Sequence, residues 1–140
     1  MTVPASAFLD HQGYETVDID AEAAALTTMG MTVLRWGVHA VTGKRIALLS
    51  DGVASKIELM EVDAVTGVLD HCAFAVAELG EAHAGAVSNG CAEDRAPFRL
   101  EAAKARTSFV RTPAGRLIQL VQYDDDSPDR APWDQPTWSE

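Results

Sequence analysis

The chain repeats itself, and that restricts its fold more than any other feature of the sequence. "FLDHQGY" starts at Phe8 and "VLDHCAF" at Val68, and their histidines, His11 and His71, stand 60 positions apart. Gly30 and Gly90 keep the same step of 60, while Ile57-Glu58-Leu59 meets Ile118-Gln119-Leu120 after a step of 61, which requires one inserted residue. Between these markers each copy runs from a strand-like segment to an acidic residue, Asp18 or Glu78, and on to an Ala-rich segment. Collinear matches at nearly one spacing define an internal repeat of about 60 residues.

Each copy reads as a strand, a helix and three further strands. "DHQGYETV" and "DHCAFAVA" alternate as half-buried strands do. "AEAAALTTMG" and "GEAHAGAVSNG" are rich in helix formers and stop at Gly30 and Gly90, the usual C-terminal punctuation of a helix. The first copy continues with "MTVLRWGVH", "KRIALLS" and "KIELMEV"; the second with a weaker strand near residues 99–103, then "TSFVR" and "RLIQLVQY". Asp51-Gly52 and Pro113-Ala114-Gly115 mark hairpin turns. "VDAVTG", residues 62–67, joins the copies, giving modules of about residues 7–62 and 68–123 within one domain, 1–123. Residues 124–140 are acidic and Pro-rich, the composition of a disordered tail. Trp133 and Trp138 offer the alternative that this tail anchors on the body or on a second subunit.

A net charge of −10 argues against nucleic acid or an anionic membrane as partner, since both reward clustered Lys and Arg. A small anionic ligand held by a few local arginines remains compatible with it. No apolar run approaches the roughly 20 residues that span a bilayer, and the first residues lack a basic segment followed by an apolar one. Cys72 and Cys91 are too few for a disulfide scaffold, so reduced thiols in the cytoplasm are the expectation. Cys72 reads as a core thiol, and His39, His83, Arg99, Lys104 and Arg106 as surface residues.

Alternation along the strands selects a site. His11 shares a face with Gly13 and Glu15, and His71 with Ala73 and Ala75, small neighbours that leave a hollow beside the ring. Glu58 shares its face with Met60, and Gln119 with Val121 and Tyr123. If the copies pair by pseudo-twofold symmetry, His11 and His71 become equivalent, and so do Glu58 and Gln119. Two imidazoles, a carboxylate and an amide oxygen suit a divalent ion such as Zn, Ni, Co, Mn or Fe. Glu15, Met60, Ala73, Val121 and Tyr123 are then candidate substrate contacts.

On "LDHQGYETVDIDAEAAA", "KIELMEV", "LDHCAFAVAELGEA" and "FVRTPAGRLIQLVQY", spread over residues 7–123, the chain resembles the vicinal oxygen chelate superfamily. That superfamily contains glyoxalase I, bleomycin and fosfomycin resistance proteins, methylmalonyl-CoA epimerase and extradiol dioxygenases. The resemblance implies an α+β fold of two tandem βαβββ modules forming a half-open eight-stranded barrel around a central hollow. It implies metal ligands on the first and last strand of each module, here His11, Glu58, His71 and Gln119, and a homodimer. Thr112 stands where the superfamily's terminal motif usually carries Asp, and Gln119 where Glu is more usual. An amide at 119 disfavours a ring-cleaving dioxygenase, which needs a carboxylate there. The implied function is a metal-dependent lyase or isomerase of glyoxalase I type acting on a small molecule, with Glu58 as proton shuttle. The alternative is metal-free binding of a drug or natural product, to which Trp36, Trp133 and Trp138 would contribute aromatic surface.

Overall fold

The computed structural model describes residues 7–67 and 69–130. Its elements are β1 (Phe8–Thr16), α1 (Ile19–Thr28), β2 (Thr32–Val38), β3 (Arg45–Ser50), β4 (Lys56–Glu61), β5 (His71–Ala75), α2 (Leu79–Ser88), β6 (Ala92–Leu100), β7 (Ala105–Arg111) and β8 (Leu117–Tyr123). All eight strands form one curled sheet in the order β2-β3-β4-β1-β5-β8-β7-β6. The fold is the expected α+β half-barrel of two βαβββ modules, with first strands meeting at the centre.

The register shows the twofold relation directly. Antiparallel β1 and β5 pair His11 with Ala73 and Gly13 with His71, so each histidine faces the small residue of the other copy. Parallel β1 and β4 pair Gly13 with Glu58; parallel β5 and β8 pair Ala73 with Gln119. The two parallel strand pairs are therefore the same construction used twice.

Local chemistry repeats as well. Asp18 caps α1 by accepting from the Ala21 N–H at 3.1 Å, satisfying one of the unpaired donors of the first turn. At the other end Met31 N–H donates to Leu26 C=O, and Cys91 N–H to Ala86 C=O, the same closure 60 residues later. Gly30 (φ +97°) and Gly90 (φ +111°) supply the backbone conformation that this closure requires. Ile19 and Ala23 of α1 pack on Met31, Ala47, Leu49 and Leu59. In the second module Leu79 of α2 packs with Val76 and Leu120, joined by Phe74 and Ile118. Both helices thus cover the outside of the sheet and leave its concave side to the hollow.

Two expectations need correction. The strand expected near residues 99–103 is β6, which runs Ala92–Leu100, and residues 101–104 are a turn closed at Lys104 (φ +49°). β6 is an edge strand whose run of charges, Pro97 and two register shifts hide it from a search for alternation. His83, expected on the surface, is buried against β7, with Nδ1 2.7 Å from the Ser108 hydroxyl and Nε2 2.8 Å from Glu93.

The start of the acidic segment is folded. Asp124 pairs with Arg99, Asp126 with Lys104, and the Ser127 hydroxyl donates to the Ala103 carbonyl, so residues 124–130 lie along the second module. Trp133 and Trp138 lie outside the described residues. Among the described residues, no helix is long and apolar enough to cross a membrane.

Candidate metal centre

The concave side encloses a hollow of about 520 Å³, lined by residues of both modules. His11, Glu58 and His71 each present one ligand atom, all within 4.8 Å of one another. The two Nε2 atoms are 3.3 Å apart, the rings are nearly perpendicular, and His71 Nε2 is 3.6 Å from Glu58 Oε1. A tetrahedral ion with bonds of roughly 2.0–2.1 Å holds its ligand atoms about 3.3 Å apart. The separation of the two imidazole nitrogens fits that geometry, and Glu58 lies slightly farther out.

The Leu-Asp-His repeat explains why both rings present Nε2. In each copy the aspartate just before the histidine takes its Nδ1: Asp10 at 2.7 Å from His11 and Asp70 at 2.8 Å from His71. An ionised carboxylate only accepts, so Nδ1 carries the proton and Nε2 is left with its lone pair. Two buried lone pairs facing each other at 3.3 Å repel unless a proton or a cation lies between them. The donor set therefore fits a divalent ion, with the carboxylates acting as the outer partners that metal-bound histidines require.

Asp10 reaches its neighbour through a break in alternation. The β1–β5 register shifts between Leu9 and His11, leaving Asp10 as the extra residue, so it and His11 are both buried. Its carboxylate also accepts from the Lys56 ammonium at 2.9 Å and the Tyr123 hydroxyl at 2.5 Å. Burial pushes the Asp10 carboxyl up, but the hydrogen bond and charge of His11, the charge of Lys56 and the Tyr123 hydroxyl outweigh it and hold it below the usual 3.8. Burial likewise pushes the His11 imidazole down. The bond to Asp10 and the charges of Glu58 and Asp10 overcome that and the opposing Lys56, leaving it above the usual 6.5.

Gln119 lines the same hollow, and its amide N–H donates to the Thr107 hydroxyl at 2.9 Å, which leaves Oε1 as the atom it could offer to an ion. Met60, Val121 and Tyr123 line the hollow as well. Glu15 does not: its carboxylate accepts from the Thr66 N–H and hydroxyl and fastens the segment between the modules. Ala73 is fully buried opposite His11 and is not part of the lining.

Sequence reasoning missed Asp10, Lys56, Arg35, Arg95 and Asp129. Arg35 grips Asp129 at 2.6 and 3.0 Å. Arg95 lies 3.5 Å over the ring of Phe98, and both line the hollow although three residues apart, because the β6 register shifts between them. His39, expected at the surface, contributes to the rim and accepts from two backbone N–H groups of its own loop.

Two like modules, joined through their first strands and carrying a histidine on each, make the vicinal oxygen chelate arrangement, and the chain shares the fold of that superfamily. The chain resembles hypothetical protein BH1468 from Bacillus halodurans C-125, with 23% identity and a TM-score of 0.70 over 87% of this chain and 98% of that one. It also resembles methylmalonyl-CoA epimerase from Mycobacterium tuberculosis, with 25% identity and a TM-score of 0.69 over 83% and 87%. A methylmalonyl-CoA epimerase in complex with methylmalonyl-CoA and NH4+ matches at 26% identity and a TM-score of 0.66, over 85% and 96%. Neither a protein-family model nor a curated protein sequence matches the chain.

Proposed function

We propose that the protein is a divalent-metal-dependent isomerase or lyase of glyoxalase I-like type, removing a proton beside a carbonyl in a small oxygenated substrate. The observation that carries the reading is the convergence of His11, His71 and Glu58 within 4.8 Å inside a hollow large enough for a small molecule. His11, His71 and Glu58, with Gln119 through Oε1, would hold the ion; Zn, Ni, Co, Mn and Fe all accept such a set. Bound there, the ion supplies Lewis acidity, stabilising the negative charge that grows on a carbonyl oxygen as the neighbouring C–H bond breaks.

Glu58 is the proton carrier. Its half-buried carboxylate faces the hollow, accepts the proton from carbon and returns it to the adjacent carbon or the same one. The other lining carboxylates are engaged: Asp129 by Arg35, Asp70 by His71, Asp94 by Arg111 and Glu101 by Arg99. With Glu58 the one carboxylate of the described lining that faces the Nε2 side of the imidazole pair, a shuttled proton is favoured over epimerisation with two opposed bases. The wall of Met60, Phe98 and Phe109 suits an apolar substrate body, and the guanidinium of Arg95 suits an anionic group on it. The likeness to methylmalonyl-CoA epimerases at 25–26% identity supports the isomerase branch.

A second reading, metal-free binding of an aromatic natural product, draws on the stacked Phe98 and Phe109, whose centroids are 6.3 Å apart in the wall. Turnover separates the two. Metal-loaded protein is assayed in D2O with methylglyoxal plus glutathione and with methylmalonyl-CoA, following deuterium entering the carbon. Exchange or turnover that falls about 10²–10⁴-fold in Glu58→Gln is the expected result. Absence of exchange with both substrates, alongside tight metal-free binding of an aromatic compound, removes the enzyme reading.

A further inference from the structure

Lys56 is buried charge that the proposed chemistry leaves unused. It opens β4 opposite His11, and its side chain is wholly removed from solvent. Its ammonium donates to Asp10 at 2.9 Å and to the backbone carbonyl of Asp129 at 2.8 Å, and it lies 4.9 Å from the centre of the Tyr123 ring. Burying an ammonium is costly unless such partners surround it, so its site has to be built.

Residues 124–130 build it. The segment leaves β8, pairs with Arg99 and Lys104 beside the β6–β7 turn, and is fastened by the Ser127 hydroxyl to the Ala103 carbonyl. It then crosses to the first module, where the Asp129 carboxylate holds Arg35 of β2 and its carbonyl reaches Lys56 of β4. Among the described residues the second module has no counterpart. Leu117 opens β8 where Lys56 opens β4, and the Asp70 side chain is 31% exposed whereas that of Asp10 is fully buried. The two histidines are equivalent in sequence and unequally held.

We infer that residues 124–130 are a working part of the metal centre, and that Lys56, seated by the Asp129 carbonyl, is a positioning residue that fixes Asp10 on Nδ1 of His11. The inference rests on the proposed metal site and extends it to a segment outside both repeats. It says that the asymmetry between the copies comes from this strap, which stiffens one ligand and leaves the other adjustable.

The test uses the full-length chain with Co2+ as probe, its Kd read from the visible absorption bands. Lys56→Met is expected to weaken Co2+ binding about 10–100-fold, the usual cost of losing an outer partner of a metal ligand, and Asp129→Ala about 10-fold. Coupling separates positioning from general loosening: in an Asp10→Asn background Lys56→Met should cost nothing further, whereas with Asp70→Asn the losses should add. Both variants folded with Kd values within twofold of the parent overturn the inference, as does an equal loss with and without Asp10. If Lys56→Met does not fold, Asp129→Ala decides by the same criterion. A parent that binds no Co2+ removes the metal reading instead. The positioning claim is then judged in the metal-free chain from ring 15N signals, where Asp129→Ala should move those of His11 and leave those of His71 in place; the reverse pattern overturns it.

Discussion

At Gly13 the site has cleared a place for itself. A β-carbon built there would lie 2.4 Å from Cε1 and 2.5 Å from Nδ1 of His71, so the imidazole lies across β1 where any side chain would stand. The neighbour is a ring on a rotatable bond, so Gly13→Ala should fold and displace His71. Metal affinity falls at least about 10-fold, as for other losses of ligand support, while the unfolding midpoint moves little; titration and denaturation of the same sample check both. Asp10 answers to a different physics. Asp10→Asn leaves the buried Lys56 ammonium without its carboxylate and should cost about 3–5 kcal/mol of stability in the metal-free protein. The folded Asp10 carboxyl lies below 3.8, so its contribution is present above that pH and is lost as pH falls through the folded value. The difference between parent and variant should therefore be full at neutral pH and shrink only below about 3.8, as read from urea unfolding across pH.

The elements show where a sequence can be read and where it cannot. The repeat, the two helices and seven strands follow from spacing, alternation and glycine punctuation, because those features act locally along the chain. Alternation also selected His11, Glu58, His71 and Gln119, which all face the one hollow. It failed at bulges: Asp10, Arg35 and Arg95 each sit at a register shift, where one extra residue turns a side chain to the opposite face. Lys56 and Asp129 were hidden for another reason, since contacts 46 and 73 residues apart in sequence leave no periodic trace. His83 is a third kind of case, a helix residue whose value depends on Ser108 and Glu93 coming beneath it. His83→Ala leaves the fully buried Ser108 hydroxyl without that partner and should cost about 1–3 kcal/mol. Because His83 packs outside the hollow, Co2+ affinity should stay within about twofold of the parent, and equilibrium unfolding beside metal titration separates the two effects.

Over the whole molecule, duplication accounts for the framework and departures from it account for the centre. Pseudo-twofold pairing of β1 with β5 brings two imidazoles face to face, and only the first copy keeps a carboxylate on its last strand, Glu58, where the second has Gln119. One half therefore carries the proposed base and the other an amide, a division that a strict repeat would not provide. The most direct measurement is metal content by plasma mass spectrometry on tag-free protein supplemented with Zn, Ni, Co, Mn and Fe, beside His71→Ala and Glu58→Gln. The account predicts about one ion per chain in the parent, lost in His71→Ala and weakened in Glu58→Gln. A parent without metal after supplementation, or His71→Ala with the parent's full complement, would contradict it.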